Sequence, residues 1–230
     1  MSTLRLDRVV VTAPTVEGEI TILRETSLTL TEQRIALVGP NGSGKSTLAR
    51  LLNGLVSPAS GRVTLDDLDV ATDGREVRRR VGFMFTDPSS QLIMPTVVED
   101  VMLSLRRTHR SARERREAAM GVLATYGLQG LADRSVHALS GGQRQLLALA
   151  GVLACEPEVV VADEPTTLLD LANARRVGDL LMSLPQQVVV CTHDLDLAER
   201  CDRALWIEDG AVRHDGPAAA TVAAYRASVG

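Results

Sequence analysis

Aromatic residues are scarce: one Trp, two Tyr and two Phe make up 2 per cent of the 230 residues, against 45 per cent apolar residues overall. Any sizeable core must therefore be built from Leu, Val, Ile and Ala. Long apolar runs are missing too. The longest, near Leu146 to Cys155, is about half of the ~20 residues that a membrane-spanning helix needs. The start, Met1-Ser2-Thr3-Leu4-Arg5, lacks the apolar stretch of a secretory signal. Cysteine is limited to Cys155, Cys191 and Cys201, an odd number at spacings that suit no metal site, so reduced thiols in a cytosolic protein are expected. Positive charge is not in excess. A formal net charge of −4 argues against a broad nucleic-acid-binding surface, and no nucleic-acid partner is expected.

What is present centres on Gly39-Pro40-Asn41-Gly42-Ser43-Gly44-Lys45-Ser46-Thr47. It follows the apolar run Ile35–Val38 and opens into Leu48-Ala49-Arg50-Leu51-Leu52, a helical pattern. This is the P-loop pattern G-x-x-x-x-G-K-[ST] in its strand–loop–helix setting. Glycines let successive amides turn inward as an anion nest, and the following helix adds the positive end of its dipole. Lys45 is expected to reach the β- and γ-phosphates of a nucleotide, and the Ser46 hydroxyl to take a place on Mg²⁺.

Elsewhere the first thirty-odd residues alternate apolar and polar, which predicts two strands joined by a turn near Pro14 to Gly18. A short strand is expected over Arg62–Leu65 after the turn Ser57–Gly61, and another over Val81–Phe85. From about Pro95 to Ala154 the pattern is helical, with Arg and Glu crowding Arg106–Glu117 as a solvated helix face. Strands return at Val159–Ala162, Val188–Cys191 and Ala204–Ile207, and an alanine-rich segment, Pro217 to Ala224, reads as a terminal helix.

Two further segments carry chemistry. Val159-Val160-Val161-Ala162-Asp163-Glu164 is an apolar strand ending in two acids. Acids often end strands as helix caps; beside a P-loop, Asp163 suits the metal-side carboxylate and Glu164 the group that polarises an attacking water. Leu139-Ser140-Gly141-Gly142-Gln143 precedes a helical run. It is either an ordinary Ser cap or a second phosphate cradle with free amides, a hydroxyl and a helix dipole. A second cradle cannot easily serve the nucleotide of its own P-loop, so it is expected to face the nucleotide of a partner subunit.

These residues carry a family resemblance that covers almost the whole chain. Leu139–Gln143 resembles the signature motif of ATP-binding cassette (ABC) ATPases, and Gly39–Thr47 and Val159–Glu164 resemble their Walker A and B motifs. Pro165–Asp170 resembles the D-loop, with Asp170 at its end, and His193 resembles the switch histidine that contacts the γ-phosphate. The resemblance implies an α/β P-loop NTPase: a three-layer core on a mainly parallel sheet, an antiparallel β lobe and an inserted helical subdomain. As a single domain over 1–230, the core would take about 1–86 and 156–230 and the helical subdomain about 87–155. It implies ATP and Mg²⁺ as ligands, Glu164 and His193 as catalytic residues, Ser46 and Asp163 on the metal, and a head-to-tail dimer of two ATPase subunits.

Two departures stand out. The family usually has an aromatic near the first strands that stacks on adenine, and Val9–Ala13 has none, so looser base discrimination is expected. The family also has a Gln after the Val81–Phe85 strand, where this chain has Thr86, too short for the same contact without a bridging water. Gln91 is near but is not assigned that role.

Val81 to Val101, with Pro88-Ser89-Ser90-Gln91, resembles the ATPases of energy-coupling-factor (ECF) importers, and among them most the biotin branch, with the cobalt and nickel branches as rivals. That resemblance implies a transmembrane coupling protein and a substrate-binding membrane protein as partners, and a place on the inner face of the cell membrane. A non-transport ABC ATPase of DNA repair or translation, and a P-loop small-molecule kinase, are the other readings weighed. The first would typically carry coiled-coil arms, zinc modules or a second cassette. The second leaves the signature motif, Glu164 and His193 without work.

Overall fold

The structure, a computed structural model, describes residues 2–16 and 18–229. The chain opens on a long antiparallel hairpin, β1 (Leu4–Thr15) and β2 (Gly18–Leu30), closed where Thr15 pairs with Gly18. Glu17, within the expected turn, lies outside the described residues. Next come β3 (Arg34–Val38), α1 (Lys45–Asn53), β4 (Ser60–Leu65), β5 (Leu68–Asp69), α2 (Gly74–Arg80) and β6 (Val81–Met84). A helical segment follows, with α3 (Val97–Ser104), α4 (Ala112–Thr125) and α5 (Gly141–Leu153), broken by single 3-10 turns. The chain ends with β7 (Val159–Asp163), α6 (Leu171–Ser183), β8 (Gln187–Cys191), α7 (Leu195–Glu199), β9 (Arg203–Glu208), β10 (Ala211–Pro217) and α8 (Ala218–Val229).

The strands form two sheets. The smaller is antiparallel, in the order β2-β1-β4-β5; the larger runs β10-β9-β3-β8-β7-β6 and is parallel except for the β9–β10 edge. Both faces of the larger sheet are covered, so β3, β7 and β8 read as unbroken apolar runs rather than alternating ones. Alternate residues go opposite ways. Ile35, Leu37, Val161 and Val189 pack with α1 and the antiparallel sheet, while Ala36, Val38, Val160 and Val190 pack with the helical segment and α6 to α8. The expected three-layer α/β architecture is what these contacts build. Leu146, Leu147 and Leu149 of α5 are buried in the same cluster as the central strands, so the helical segment is anchored in the core of the sheet.

The terminal helix is longer than its alanine-rich signal, and the sequence patterns predict none of β5, α2, α6, α7 and β10. Helix α6 is amphipathic, with Val177 and Leu181 buried, but its first six residues, Leu171–Arg176, are exposed or half-buried. Helix α2 is five parts charge to one buried valine, Val77, and β10 is an exposed edge strand. Each is held by packing or pairing rather than by a strong local pattern.

One buried cation ties the start of β3 to the connection between α6 and β8. Arg34, at its start, is 8 per cent exposed. Its guanidinium donates to the carbonyls of Met182 at 3.1 Å, Gln186 at 2.7 Å and Gln33 at 3.0 Å, and to that of Leu184. Burial lowers its pKa, and Asp202 opposes that shift. Replacing Arg34 with Met should leave these carbonyls unpaired and cost about 3 kcal/mol of stability, measurable as a lower urea midpoint. An unchanged midpoint would show that water replaces the guanidinium.

Candidate active site

The three adjacent parallel strands β3, β8 and β7 end side by side, with Cys191 registered between Leu37 and Asp163. Ligands of such sheets gather at the carboxyl ends of the strands. Each of the three strands delivers one predicted segment there.

From β3 the chain turns through Gly39–Gly44 into α1. Gly39 has φ +139°, and a Cβ there would stand 2.0 Å from the Ile207 carbonyl oxygen, so only glycine fits. Gly44, at the cap of α1, has φ 106°. The Ser43 hydroxyl is buried and has no hydrogen-bond partner among the described residues. The Lys45 ammonium donates to the carbonyls of Gly39 at 2.7 Å and Pro40 at 2.8 Å. Burial lowers its pKa, while the charges of Glu164, Cys191 and Asp163 pull it back up. It is the single lysine of the chain.

From β7 come the two acids. Asp163 is 1 per cent exposed; one carboxylate oxygen accepts from the Ser46 hydroxyl at 2.7 Å and the other from Arg50 at 3.3 Å. Glu164 follows with φ +52°, a left-handed conformation rare for a residue with a side chain. Its amide donates to the Cys191 carbonyl at 3.0 Å. Its Oε1 meets His193 Nε2 at 2.9 Å, and its Oε2 accepts from the Thr167 hydroxyl at 2.9 Å. His193 arrives from the end of β8. Glu164 and His193, far apart in sequence, are therefore direct partners.

These groups open on a cleft of about 640 Å³. Asn41, Gly42, Gly44, Lys45, Ser46 and Thr47 form its floor, Glu164 and His193 one side, and Ile20, Thr21, Ile22 and Arg24 of β2 another. The outer wall comes from β2, whereas Val9 and Val11 of β1 point into the core and are 0 and 3 per cent exposed. Ala13 of β1 pairs with Ile20 of β2, and it is the β2 residues that reach the cleft. None of the described residues lining the cleft is Phe, Tyr or Trp.

Leu139–Gln143 and Asp170 do not line this cleft. Leu139 is buried, and Ser140 caps α5 in a reciprocal box with Gln143, each accepting from the other's amide. Asp170 caps α6 through Asn173, whose side chain packs so close to Gly142 that a Cβ there would stand 2.4 Å from it. The two helix starts thus sit against each other.

Thr86 spends its hydroxyl on the Asp163 carbonyl at 3.0 Å. Gln91 donates to the Ala148 carbonyl of α5 at 3.1 Å and accepts from the Phe85 amide at 3.4 Å. Neither side chain is among those lining the cleft. The sequence reading also passed over Arg50 and Thr167. Arg50 lies one helical turn past Ser46, a spacing that puts both on the face towards Asp163.

Fold and cleft together are those of a P-loop NTPase. A family profile described as ABC transporter matches residues 23–167. The biotin transport ATP-binding protein BioM of Rhizobium etli is 43 per cent identical over 91 per cent of this chain and 93 per cent of its own. An ATP-binding cassette solved as a dimer in a post-hydrolysis state with ADP and Pi superposes with TM-score 0.84 at 32 per cent identity, covering 94 and 98 per cent of the two chains. The cbiO1 protein of Clostridium perfringens, described as part of the ABC transporter complex cbiONQ, does so with TM-score 0.81 at 28 per cent, covering 96 and 90 per cent. The chain belongs to the ABC transporter family of ATP-binding proteins. Its activity is the hydrolysis of ATP coupled to transport.

Among the described residues no helix is long and apolar enough to cross a membrane.

Proposed function

We propose that this chain is the ATP-hydrolysing subunit of an ECF-type importer that takes up a vitamin, biotin before cobalt or nickel. The observation that carries the hydrolytic part is the meeting of Glu164 and His193 above the P-loop in one cleft. In this reading the amides of Gly39–Gly44 cradle the phosphates, Lys45 swings from the Gly39 and Pro40 carbonyls to the β- and γ-phosphates, and Thr47 closes the floor. Glu164 orients the attacking water and takes its proton as the new P–O bond forms and the β–γ bridging oxygen leaves with ADP; His193 holds Glu164 and contacts the γ-phosphate.

The residues present suit Mg²⁺. Ser46 and Asp163 offer hard oxygen donors 2.7 Å apart, and among the described residues no cluster of three ligating side chains exists. A cation held by few protein oxygens and completed by water and phosphate is the usual Mg²⁺ arrangement. When bound it would neutralise charge on the transferring phosphoryl group.

Leu139–Gln143 and Asp170 would face the nucleotide of a second ATPase subunit. Their position outside this chain's own cleft supports that, as does the dimer in which the post-hydrolysis relative was solved. A groove of about 280 Å³ among Arg79, Phe83, Gln91, Asp100 and Val152 would receive the transmembrane coupling protein. That would place the chain on the cytoplasmic face of the cell membrane, beside a substrate-binding membrane protein. The ECF assignment is supported by the Pro88–Gln91 segment, whose residues Pro88–Ser90 form a 3-10 turn capped by Asp87, and the biotin assignment by the 43 per cent identity to the Rhizobium etli protein.

Gentle solubilisation of native membranes and purification through a tag on this chain tests the whole reading. A coupling membrane protein and a small membrane protein holding biotin should co-purify. Cobalt or nickel in place of biotin would move the substrate to the rival branch. Ribosomes or DNA-repair proteins alone would overturn the importer.

A further inference from the structure

Among the contacts of Glu164, one comes from a side chain that the sequence reading leaves without a task. Thr167 lies three residues on, in the turn closed by its amide on the Glu164 carbonyl at 3.3 Å. Its side chain is exposed and free to bond water, yet its hydroxyl donates to Glu164 Oε2 at 2.9 Å. The other oxygen, Oε1, is held by His193 at 2.9 Å. The two donors come from different elements: Thr167 from the loop after β7, His193 from the loop after β8.

We propose that Thr167 is a positioning residue for catalysis, its hydroxyl setting with His193 the plane of the Glu164 carboxylate that receives the attacking water. The inference rests on the reading of Glu164 as the group that polarises that water. The last torsion of a glutamate side chain is broad and roughly two-fold, so a single donor at one oxygen leaves the carboxylate plane free to tilt. Two donors, one on each oxygen, remove that freedom. Each oxygen keeps a second acceptor site, so a water can still bind. The backbone at φ +52° aims the side chain; the hydroxyl fixes its final angle. Misplacement of a catalytic group by about 1 Å is enough to cost up to ~10²-fold in rate.

The test uses the full chain with MgATP, in steady state and in single turnover. Thr167→Val keeps the branched shape and removes only the hydroxyl; Thr167→Ala controls for any crowding by the extra methyl, and Thr167→Ser restores the donor. Thr167→Val and Thr167→Ala should lower kcat ~10-fold with KM for ATP within about two-fold, and Thr167→Ser should recover turnover to within about three-fold of the starting protein. Placed on a Glu164→Gln background, Thr167→Val should slow the residual single-turnover rate by less than about two-fold, because its partner is already impaired. The inference falls if Thr167→Val and Thr167→Ala turn over normally, if serine fails to rescue, or if the full loss recurs on the Glu164→Gln background. Undiminished turnover in Glu164→Gln alone would overturn the assignment of Glu164 itself, and this inference with it.

Discussion

Replacing Lys45 with alanine is expected to weaken ATP binding by at least ~10²-fold. A charge-assisted hydrogen bond contributes about 1.5–3 kcal/mol, and an ammonium reaching two phosphates makes at least two of them. The side chain is already desolvated. It is 5 per cent exposed and, among the described residues, bonded only to the Gly39 and Pro40 carbonyls, so exchanging those neutral acceptors for phosphate oxygens is strongly favourable. Titration with a fluorescent ATP analogue reads the loss directly. An affinity within about three-fold of the starting protein would remove Lys45 from the phosphate site.

The same residue permits a second readout. Because Lys45 is the single lysine, an acylating reagent aimed at side-chain amines has one side-chain target in the whole chain. Burial lowers the Lys45 pKa, which increases the neutral, reactive fraction at neutral pH, although the floor of the cleft restricts access. Labelling should fall on the peptide containing Lys45, and ATP should protect it. Labelling indifferent to ATP would place the nucleotide elsewhere.

Replacing Glu164 with glutamine is expected to slow hydrolysis by at least ~10²-fold while leaving ATP bound. The two side chains have the same shape, so the backbone at φ +52° and the Thr167 contact can persist. The amide is a poor proton acceptor. Its NH2 group can only donate, so the amide cannot stand in for a carboxylate that accepts from both Thr167 and His193. With hydrolysis stalled and both cradles engaged, two chains should accumulate as an ATP-bound dimer, visible by size-exclusion chromatography coupled to light scattering. Full turnover with no dimer would move the catalytic role to another group.

Much of this site was legible because it is made of local patterns. The P-loop needs glycines at fixed offsets, a lysine and a hydroxyl, and these follow one another in the chain. Asp163 and Glu164 announce themselves as two acids ending an apolar strand. Buried parallel strands such as Val159–Val161 and Val188–Val190 are uninterrupted apolar runs because both faces of the sheet are covered. Patterns that depend on partners were harder to read. The exposed start of α6 and the exposed β10 carry little periodicity of their own. The outer wall of the cleft comes from β2 while Val9 and Val11 of β1 face the core, and alternation alone does not say which strand of a hairpin faces the ligand.

Thr86 shows the same division. The sequence says that a threonine is too short to replace a glutamine. Only the structure shows where its hydroxyl goes: to the carbonyl of Asp163, tying the end of β6 to the strand that carries both acids.

By itself, then, the sequence determined which groups this protein brings to its chemistry, an anion nest, one lysine, two acids and a histidine, together with the α/β class that displays them. Those are properties of residue type, order and period. The tertiary structure alone decided which groups touch. His193 and Thr167 grip opposite oxygens of Glu164, Ser46 and Arg50 share Asp163, and Ile20 and Ile22 wall the cleft in place of Val9 and Val11. The physical reason is that hydrogen bonds act over about 3 Å, while the residues that make them lie up to 117 positions apart in the chain. Their meeting is set by the parallel register of β3, β8 and β7, which no local pattern encodes.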